Sequence, residues 1–176
     1  MANIVYIAVS LDGYIADKDG GIEWLINIPN PSNDDFGFSK LMNRIDAVVM
    51  GKNTFEAVVS FGKWMYKKPV FVLSHNLHSV PKNLKDKAEL VHGDIETIVD
   101  GLNKRGLNNL YIDGGQVIQS FLKKDLIDEL IITTVPVILG SGIPLFAEIN
   151  NRLTFSHQKT DVFNNSLIKS HFTRNR

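Results

Sequence analysis

The stretch Ala47–Thr54, AVVMGKNT, is the part of the sequence that decides the predicted fold. Its first four residues, Ala47–Met50, form a continuous apolar run, which is typical of a strand that is covered on both faces of a sheet. Gly51 and a helical pattern over Thr54–Ser60 follow directly. A buried strand that leads through a glycine turn into a helix is the repeating unit of α/β proteins with parallel strands.

Similar apolar, β-branched runs recur along the chain, with helical patterns between them. The other predicted parallel strands are Ile4–Val9, Val70–Leu73, Glu89–Val91, Asn109–Ile112 and Leu130–Val135. The other predicted helices are Asp35–Arg44, Ile95–Lys104 and Gln116–Lys123. This alternation predicts a three-layer α/β fold, in which a mostly parallel central sheet is flanked by helices.

The C-terminal part of the chain has a different pattern. Two strand-like stretches, Arg152–Thr160 and Ser166–Thr173, flank a segment with an Asn164-Asn165 pair, and such residues favour turns. We expect a C-terminal antiparallel hairpin at the edge of the sheet. Pro136 has no N–H to donate to a neighbouring strand, so we expect the preceding strand to break there. No linker or repeat divides the chain, and residues 1–176 are predicted to form a single domain.

Composition excludes several classes of protein. The 176 residues carry 19 basic and 19 acidic side chains, and a net charge of zero argues against a nucleic-acid-binding protein or a polybasic membrane-surface protein. The absence of cysteine excludes thiolate metal sites and thiol nucleophiles, and no metal site is predicted. The N-terminal apolar run stops at Ser10, too short to cross a bilayer and without the features of a signal peptide. We therefore expect a cytoplasmic protein.

Three glycine-rich loops are the first candidates for ligand binding. They are Gly51–Thr54, Asp113–Gln116 and Leu139–Gly142, and the first two join a strand to a helix. In an open α/β sheet, ligands bind outside the carboxyl ends of the strands, where helix N-termini attract phosphate groups. Each loop alone is also explained as an ordinary turn, and none matches the dinucleotide or P-loop fingerprint. A phosphorylated ligand is therefore one hypothesis among others at this point.

Two neighbouring carboxylates, Asp34 and Asp35, precede the first predicted helix. The simplest interpretation is that they cap this helix and complement its dipole. Asp12 is most simply a turn residue, and the five histidines have no spacing that is typical of metal ligands.

Six segments, in their order and spacing, resemble a known family. They are Ala8–Ala16, Asp46–Glu56, Val72–Ser74, Asp113–Ile118, Leu126–Leu130 and Pro136–Phe146. Together they resemble the dihydrofolate reductase-like superfamily, and especially the reductase domain of bifunctional riboflavin-biosynthesis proteins. The zinc signature of the deaminase half of those proteins is absent, so the resemblance implies a stand-alone reductase domain of dihydrofolate reductase-like fold.

The resemblance implies that NADPH is the cofactor. Its pyrophosphate would be held at two helix starts, by Gly51, Lys52, Asn53 and Thr54 and by Gly114, Gly115, Gln116 and Val117. Leu73, Ser74 and His75 match the turn that reads the adenosine 2′-phosphate. His75 replaces the usual arginine there, so the preference for NADPH over NADH stays open. Ala8 and Ile15 match residues of the nicotinamide pocket, and Asp17–Trp24 matches the loop that closes over it.

The resemblance also implies a catalytic residue. In dihydrofolate reductases, a helix carboxylate that supports protonation of the substrate lies sixteen residues before the glycine of the Gly-x-x-Thr turn. The same spacing leads from Gly51 back to Asp35, and a slip of one residue would lead to Asp34 instead. We expect the carboxylate of Asp35 to project into the cavity beside the nicotinamide, where partial burial would raise its pKa towards the working pH.

The sequence thus predicts an NADPH-dependent reductase of a small pterin- or aminopyrimidine-class substrate. Among known activities it is most like 5-amino-6-(5-phosphoribosylamino)uracil reductase of riboflavin biosynthesis. Dihydrofolate reductase activity and a non-catalytic protein that binds NADPH or another nucleotide on the same scaffold are the alternatives. The resemblance also implies a possible homodimer, which would bury the edge left by the C-terminal hairpin.

Overall fold

The computed structural model describes residues 1–176, which contain ten strands, five α-helices and one short 3-10 helix over Lys82–Leu84. The strands are β1 (Ala2–Ser10), β2 (Tyr14–Ala16), β3 (Ala47–Gly51), β4 (Val70–Leu73), β5 (Ala88–Val91), β6 (Asn109–Asp113), β7 (Glu129–Val135), β8 (Ile143–Pro144), β9 (Phe155–Phe163) and β10 (Leu167–Arg174). The helices are α1 (Glu23–Ile26), α2 (Phe38–Arg44), α3 (Lys52–Ser60), α4 (Ile95–Lys104) and α5 (Gly115–Lys123). No helix is long and apolar enough to cross a membrane.

Eight of the strands form one sheet in the order β5-β4-β3-β6-β1-β7-β10-β9, and β2 pairs with β8 separately. The first six strands of this order run parallel to one another, whereas β10 pairs antiparallel with both β7 and β9. The predicted parallel sheet with a C-terminal antiparallel hairpin is therefore confirmed.

Two hydrophobic cores lie on opposite faces of the sheet, and neighbouring residues of β3 alternate between them. Val49 belongs to the core that contains Phe121 of α5, and Val48 belongs to the core that contains Phe55 of α3. Since both faces are covered, all of Ala47–Met50 are buried. This burial explains why the sequence shows continuous apolar runs, and it confirms the three-layer prediction.

The helix predicted over Asp35–Arg44 begins three residues later than expected, at Phe38. Phe36 and Gly37 have φ angles of +54° and +92°. Because a right-handed helix cannot pass through left-handed residues, Asp35 lies in the turn that precedes α2. In contrast, α3 and α5 begin slightly earlier than predicted, at Lys52 and Gly115.

The C-terminal hairpin has a tighter turn than predicted, and its two strands are shifted along the chain. Asn164 and Asn165 have φ angles of +51° and +52°. Two consecutive left-handed residues are typical of the two-residue turns that match the twist of a hairpin. As a result, β9 continues to Phe163 instead of ending at Thr160, and it begins only at Phe155. The predicted break before Pro136 is confirmed, since β7 ends at Val135.

The core beneath α5 provides a test of the packing. Phe121 is 0% exposed, so replacing it with alanine would leave a cavity that the surrounding side chains fill only in part. We expect Phe121→Ala to lower the free energy of unfolding by about 3–5 kcal/mol in urea denaturation. Ile138→Ala is the control, because Ile138 is 72% exposed, and it should change stability by less than about 0.5 kcal/mol. Equal small effects of the two changes would contradict this packing.

Candidate active site

A large cavity of about 1150 Å³ lies at the carboxyl ends of the parallel strands. The sheet register brings these ends together, since Met50 of β3 pairs with Asp113 of β6 and Gly51 pairs with Leu73 of β4. All thirteen residues that the sequence predicts to contact the cofactor line this one cavity: Ala8, Ile15, Gly51, Lys52, Asn53, Thr54, Leu73, Ser74, His75, Gly114, Gly115, Gln116 and Val117. Five separate stretches of the chain thus meet at the position that the fold reserves for a ligand.

Two helix starts face this cavity side by side. Helices α3 and α5 are nine residues long, and no side chain caps the start of either one. They pack closely, because a Cβ on Gly114 would lie 2.3 Å from Oγ1 of Thr54 and one on Gly51 would lie 3.2 Å from Cγ2 of Val117. Backbone N–H groups and two positive dipole ends therefore converge at one place, which suits the pyrophosphate of a dinucleotide.

An apolar region adjoins these helix starts. Ala8 of β1 and Ile15 of β2 line it, and Gly115 is so close to Ile15 that a Cβ there would lie 2.5 Å from Cδ1. Lys18, Asp19, Gly20 and Ile22 of the predicted closing loop also line the cavity. The region has the size and apolar lining that a planar ring such as nicotinamide requires.

The far end of the cavity is lined by two loops that follow β4 and β5. Ser74 accepts hydrogen bonds at Oγ from the backbone N–H groups of Asn76 and Leu77, at 3.2 and 2.8 Å. The imidazole Nδ1 of His92 contacts the backbone carbonyl of Ser74, and His75 lies beside it in the cavity wall. His92 was not predicted as a site residue. No arginine lines the cavity, and the imidazoles of His75 and His92 lie at the end where a 2′-phosphate is expected.

The orientation predicted for Asp35 is wrong. Its carboxylate accepts hydrogen bonds from the backbone N–H groups of Gly37 and Ser39, at 2.8 and 2.9 Å, and it does not line the cavity. Hydrogen bonds from Ser39 and Gly37 hold the pKa of Asp35 below its ordinary value. The neighbouring Asp34 binds the N–H of Phe36 in the same way, at 2.6 Å. Asp35 therefore binds the start of α2 and Asp34 binds the turn before it, and neither carboxylate lines the cavity.

A different carboxylate, that of Asp113, lines the cavity. Asp113 ends β6, and its oxygens accept hydrogen bonds from the Tyr66 hydroxyl at 3.1 Å and the Gly114 N–H at 2.8 Å. Burial raises the pKa of Asp113, although these hydrogen bonds oppose the shift. Such a carboxyl group holds its proton to a higher pH than an exposed one. Asp113 was predicted only as part of a glycine-rich loop, without a role of its own. The feature that indicates a role is the position of this acidic residue at the end of an otherwise apolar strand.

The third glycine-rich loop, Leu139–Gly142, lies outside the cavity wall. The carboxylate of Asp12 accepts hydrogen bonds from the N–H groups of Leu139 and Gly140, at 3.1 and 2.7 Å. It also accepts one from the hydroxyl of Ser10 at 2.6 Å. Asp12 therefore fixes this loop against the turn after β1, which is a structural role, in agreement with its prediction as a turn residue.

The hydrogen bonds of Asp35 lead to a prediction about stability. We expect Asp35→Ala to lower the free energy of unfolding by about 1 kcal/mol near neutral pH, because two N–H groups at the start of α2 lose their acceptor. Since the folded protein lowers the pKa of Asp35, this stabilisation is present above about pH 4 and disappears as the pH falls through the lowered value. Urea denaturation of both proteins at several pH values measures it. A difference that grows at acidic pH would contradict the assignment.

The chain is similar to known proteins along nearly its whole length. The family model of the RibD C-terminal domain matches residues 3–169. A crystal structure of a putative riboflavin biosynthesis protein from Shewanella sp. PV-4 is 52% identical, covers 100% of both chains and superimposes with a TM-score of 0.97.

Two more distant solved structures share the fold. One is the diaminohydroxyphosphoribosylaminopyrimidine deaminase/5-amino-6-(5-phosphoribosylamino)uracil reductase of Thermotoga maritima, with 18% identity, a TM-score of 0.74 and coverage of 99% of this chain and 56% of that chain. The other is the dihydrofolate reductase of Enterococcus faecalis in complex with NADP(H), with 19% identity, a TM-score of 0.70 and coverage of 99% and 97%. These two likenesses confirm the predicted dihydrofolate reductase-like fold. Since the matched residues span nearly the whole chain, the protein belongs to the RibD C-terminal domain family.

Proposed function

We propose that this protein is an NADPH-dependent reductase of a small aminopyrimidine-class substrate, most like 5-amino-6-(5-phosphoribosylamino)uracil reductase. One observation carries the proposal: five separate stretches of the chain line a single cavity between two uncapped helix starts and an apolar pocket. The names of the distant relatives support it, because one includes a uracil reductase and the other describes an NADP(H) complex.

The residues of the cavity fit the parts of NADPH in sequence. The starts of α3 and α5 would hold the pyrophosphate, with Lys52 adding a positive charge. Ser74, His75 and His92 would contact the adenosine end, and Ala8 and Ile15 would contact the nicotinamide. The bound cofactor supplies the hydride, and the protein supplies binding, orientation and a proton.

Asp113 is our candidate for the group that supplies this proton. Only two acidic residues line the cavity, and the other, Asp19, is exposed on the closing loop. Asp113 lies at the end of β6, beside the strand β1 that carries Ala8, so it is close to the expected position of the nicotinamide. Its raised pKa makes the carboxyl a proton donor nearer to neutral pH, and the Tyr66 hydroxyl fixes its orientation.

The proposal is tested by binding and turnover. Isothermal titration calorimetry should detect NADPH binding, and the loss of NADPH absorbance should depend on an aminopyrimidine rather than on dihydrofolate. No binding of NADPH would contradict the cofactor site itself. Binding of NADPH without turnover of any pterin or pyrimidine would instead support a non-catalytic nucleotide-binding protein. Turnover of dihydrofolate alone would support dihydrofolate reductase activity.

Asp113→Asn tests the proton donor. We expect turnover to fall about 10²-fold or more while NADPH affinity changes little, because the amide cannot give up a proton. The wild-type rate should decrease as the pH rises through the raised pKa of Asp113, and the variant should lack this decrease.

The matched control is Asp35→Asn, which changes the carboxylate that family spacing indicates. Because Asp35 is exposed and bound to its own helix start, we expect its replacement to leave turnover nearly intact. The opposite pattern, in which Asp35→Asn is inactive and Asp113→Asn is active, would restore Asp35 as the catalytic residue.

A further inference from the structure

A second, smaller cavity of about 120 Å³ lies between α2 and the antiparallel edge of the sheet. Its wall contains Lys40 and Arg44 of α2, Lys159 of β9, and Lys169 and His171 of β10. These five side chains come from α2 and from the two strands of the C-terminal hairpin, which is far from α2 in the sequence. None of them belongs to the site proposed for the cofactor, and the proposed reduction assigns them no role.

The wall of this cavity contains four lysine and arginine side chains but only one carboxylate, that of Asp161. Glu129 pairs with both Arg44, at 2.7 Å, and His171, at 2.8 Å. Asp161 pairs with Lys159 at 2.7 Å. Lys40 has no carboxylate within ion-pair distance, and neither has Lys169. Two of the four lysine and arginine side chains therefore have no ion-pair partner, although the carboxylates of Asp161 and Asp34 lie near enough to Lys169 to attract its charge.

Lys169 is held in place by the surrounding structure. Its Nζ donates a hydrogen bond to the carbonyl oxygen of Phe36 at 2.7 Å and lies 4.7 Å from the ring centroid of Phe163. Gly37 leaves room for the ammonium group, since a Cβ at this position would lie 3.0 Å from Nζ. An ammonium group has three N–H donors, and Phe36 uses one of them. Burial lowers the pKa of Lys169, and the charges of Lys159 and Lys40 lower it further, whereas the carboxylates of Asp161 and Asp34 oppose this shift.

We propose that this small cavity is an oxyanion-binding site that takes a single phosphate group. Its volume is that of about four water molecules, enough for one tetrahedral phosphate group. Lys40 of α2, Lys159 of β9 and Lys169 of β10 all line the cavity, and lysine binds phosphate as a compact charge with several donors. A bound phosphate would pair with Lys40 and accept the remaining N–H groups of Lys169.

Two sources can supply the phosphate group, and the first depends on Tyr6 because this residue connects the two cavities. The side chain of Tyr6 lines both the small and the large cavity. The first source is therefore a substrate that places its ring in the large cavity and its phosphate in the small one. The second source is a separate phosphate that binds independently. The first source rests on the function proposed above, and the second does not.

Titration with inorganic phosphate tests the site itself. At an ionic strength of about 0.1 M, calorimetry with phosphate against a chloride background should detect binding to the wild-type protein. Lys40→Gln/Lys159→Gln should weaken it by about tenfold or more, because two exposed cations are lost without altering the fold. The control Lys85→Gln/Lys104→Gln removes the same charge at exposed positions that line neither cavity. Absence of binding, or equal binding by the two double variants, would overturn the proposal.

Steady-state kinetics then separates the two sources. If the phosphate belongs to the substrate, Lys40→Gln/Lys159→Gln should raise KM for a phosphorylated aminopyrimidine by about tenfold and leave kcat and the KM of its dephosphorylated form unchanged. If the phosphate is a separate ligand, the double variant should bind inorganic phosphate more weakly, while its KM values for the phosphorylated and the dephosphorylated aminopyrimidine stay the same. The calorimetric result needs no turnover, so it stands even if the proposed reductase activity fails.

Discussion

The register of β3 between its two neighbours is the constraint on which the rest of the structure depends. Hydrogen bonding places Met50 opposite Asp113 and Gly51 opposite Leu73, so the carboxyl ends of β3, β6 and β4 lie side by side. The starts of α3 and α5 follow directly from these strands and must meet there. A shift of one residue would turn Val48 and Val49 towards the wrong cores, and the two buried faces therefore fix the geometry of the cavity.

The parts of the fold that the sequence predicts well are those in which local pattern reports burial. Ala47–Met50 reads as a strand because both of its faces are covered, and α4 was predicted with the observed bounds because Asp94 caps it and its apolar stripe is complete. The residues predicted to contact NADPH meet in one cavity for the same reason. Their positions follow from the ends of buried strands, and the sheet order then brings those ends together.

The orientation of Asp35 could not be predicted because it depends on contacts between distant parts of the chain. The carbonyl of Phe36 accepts hydrogen bonds from the hydroxyl of Tyr6 at 2.8 Å and from Nζ of Lys169 at 2.7 Å. These contacts accompany a left-handed conformation at Phe36, and the helix starts after it. The spacing between Asp35 and Gly51 along the sequence does not show that such a turn lies between Asp35 and the helix. The raised pKa of Asp113 could not be predicted for a similar reason, since its burial and its Tyr66 partner come from separate segments.

The two cavities differ in the ionisable groups that line them. Unpaired cations collect beside α2, whereas the large cavity contains a carboxyl whose burial favours its protonated form. Between them stands Tyr6, whose pKa is raised to about 12 by burial and by the charges of Asp35 and Asp34. Its hydroxyl therefore stays protonated at any physiological pH and keeps donating to Phe36, so the turn before α2 keeps one of its two hydrogen bonds whatever Lys169 binds. The hydrogen bond from Tyr6 to Phe36, which lies between the two cavities, thus stays in place whatever charge a ligand carries in either cavity.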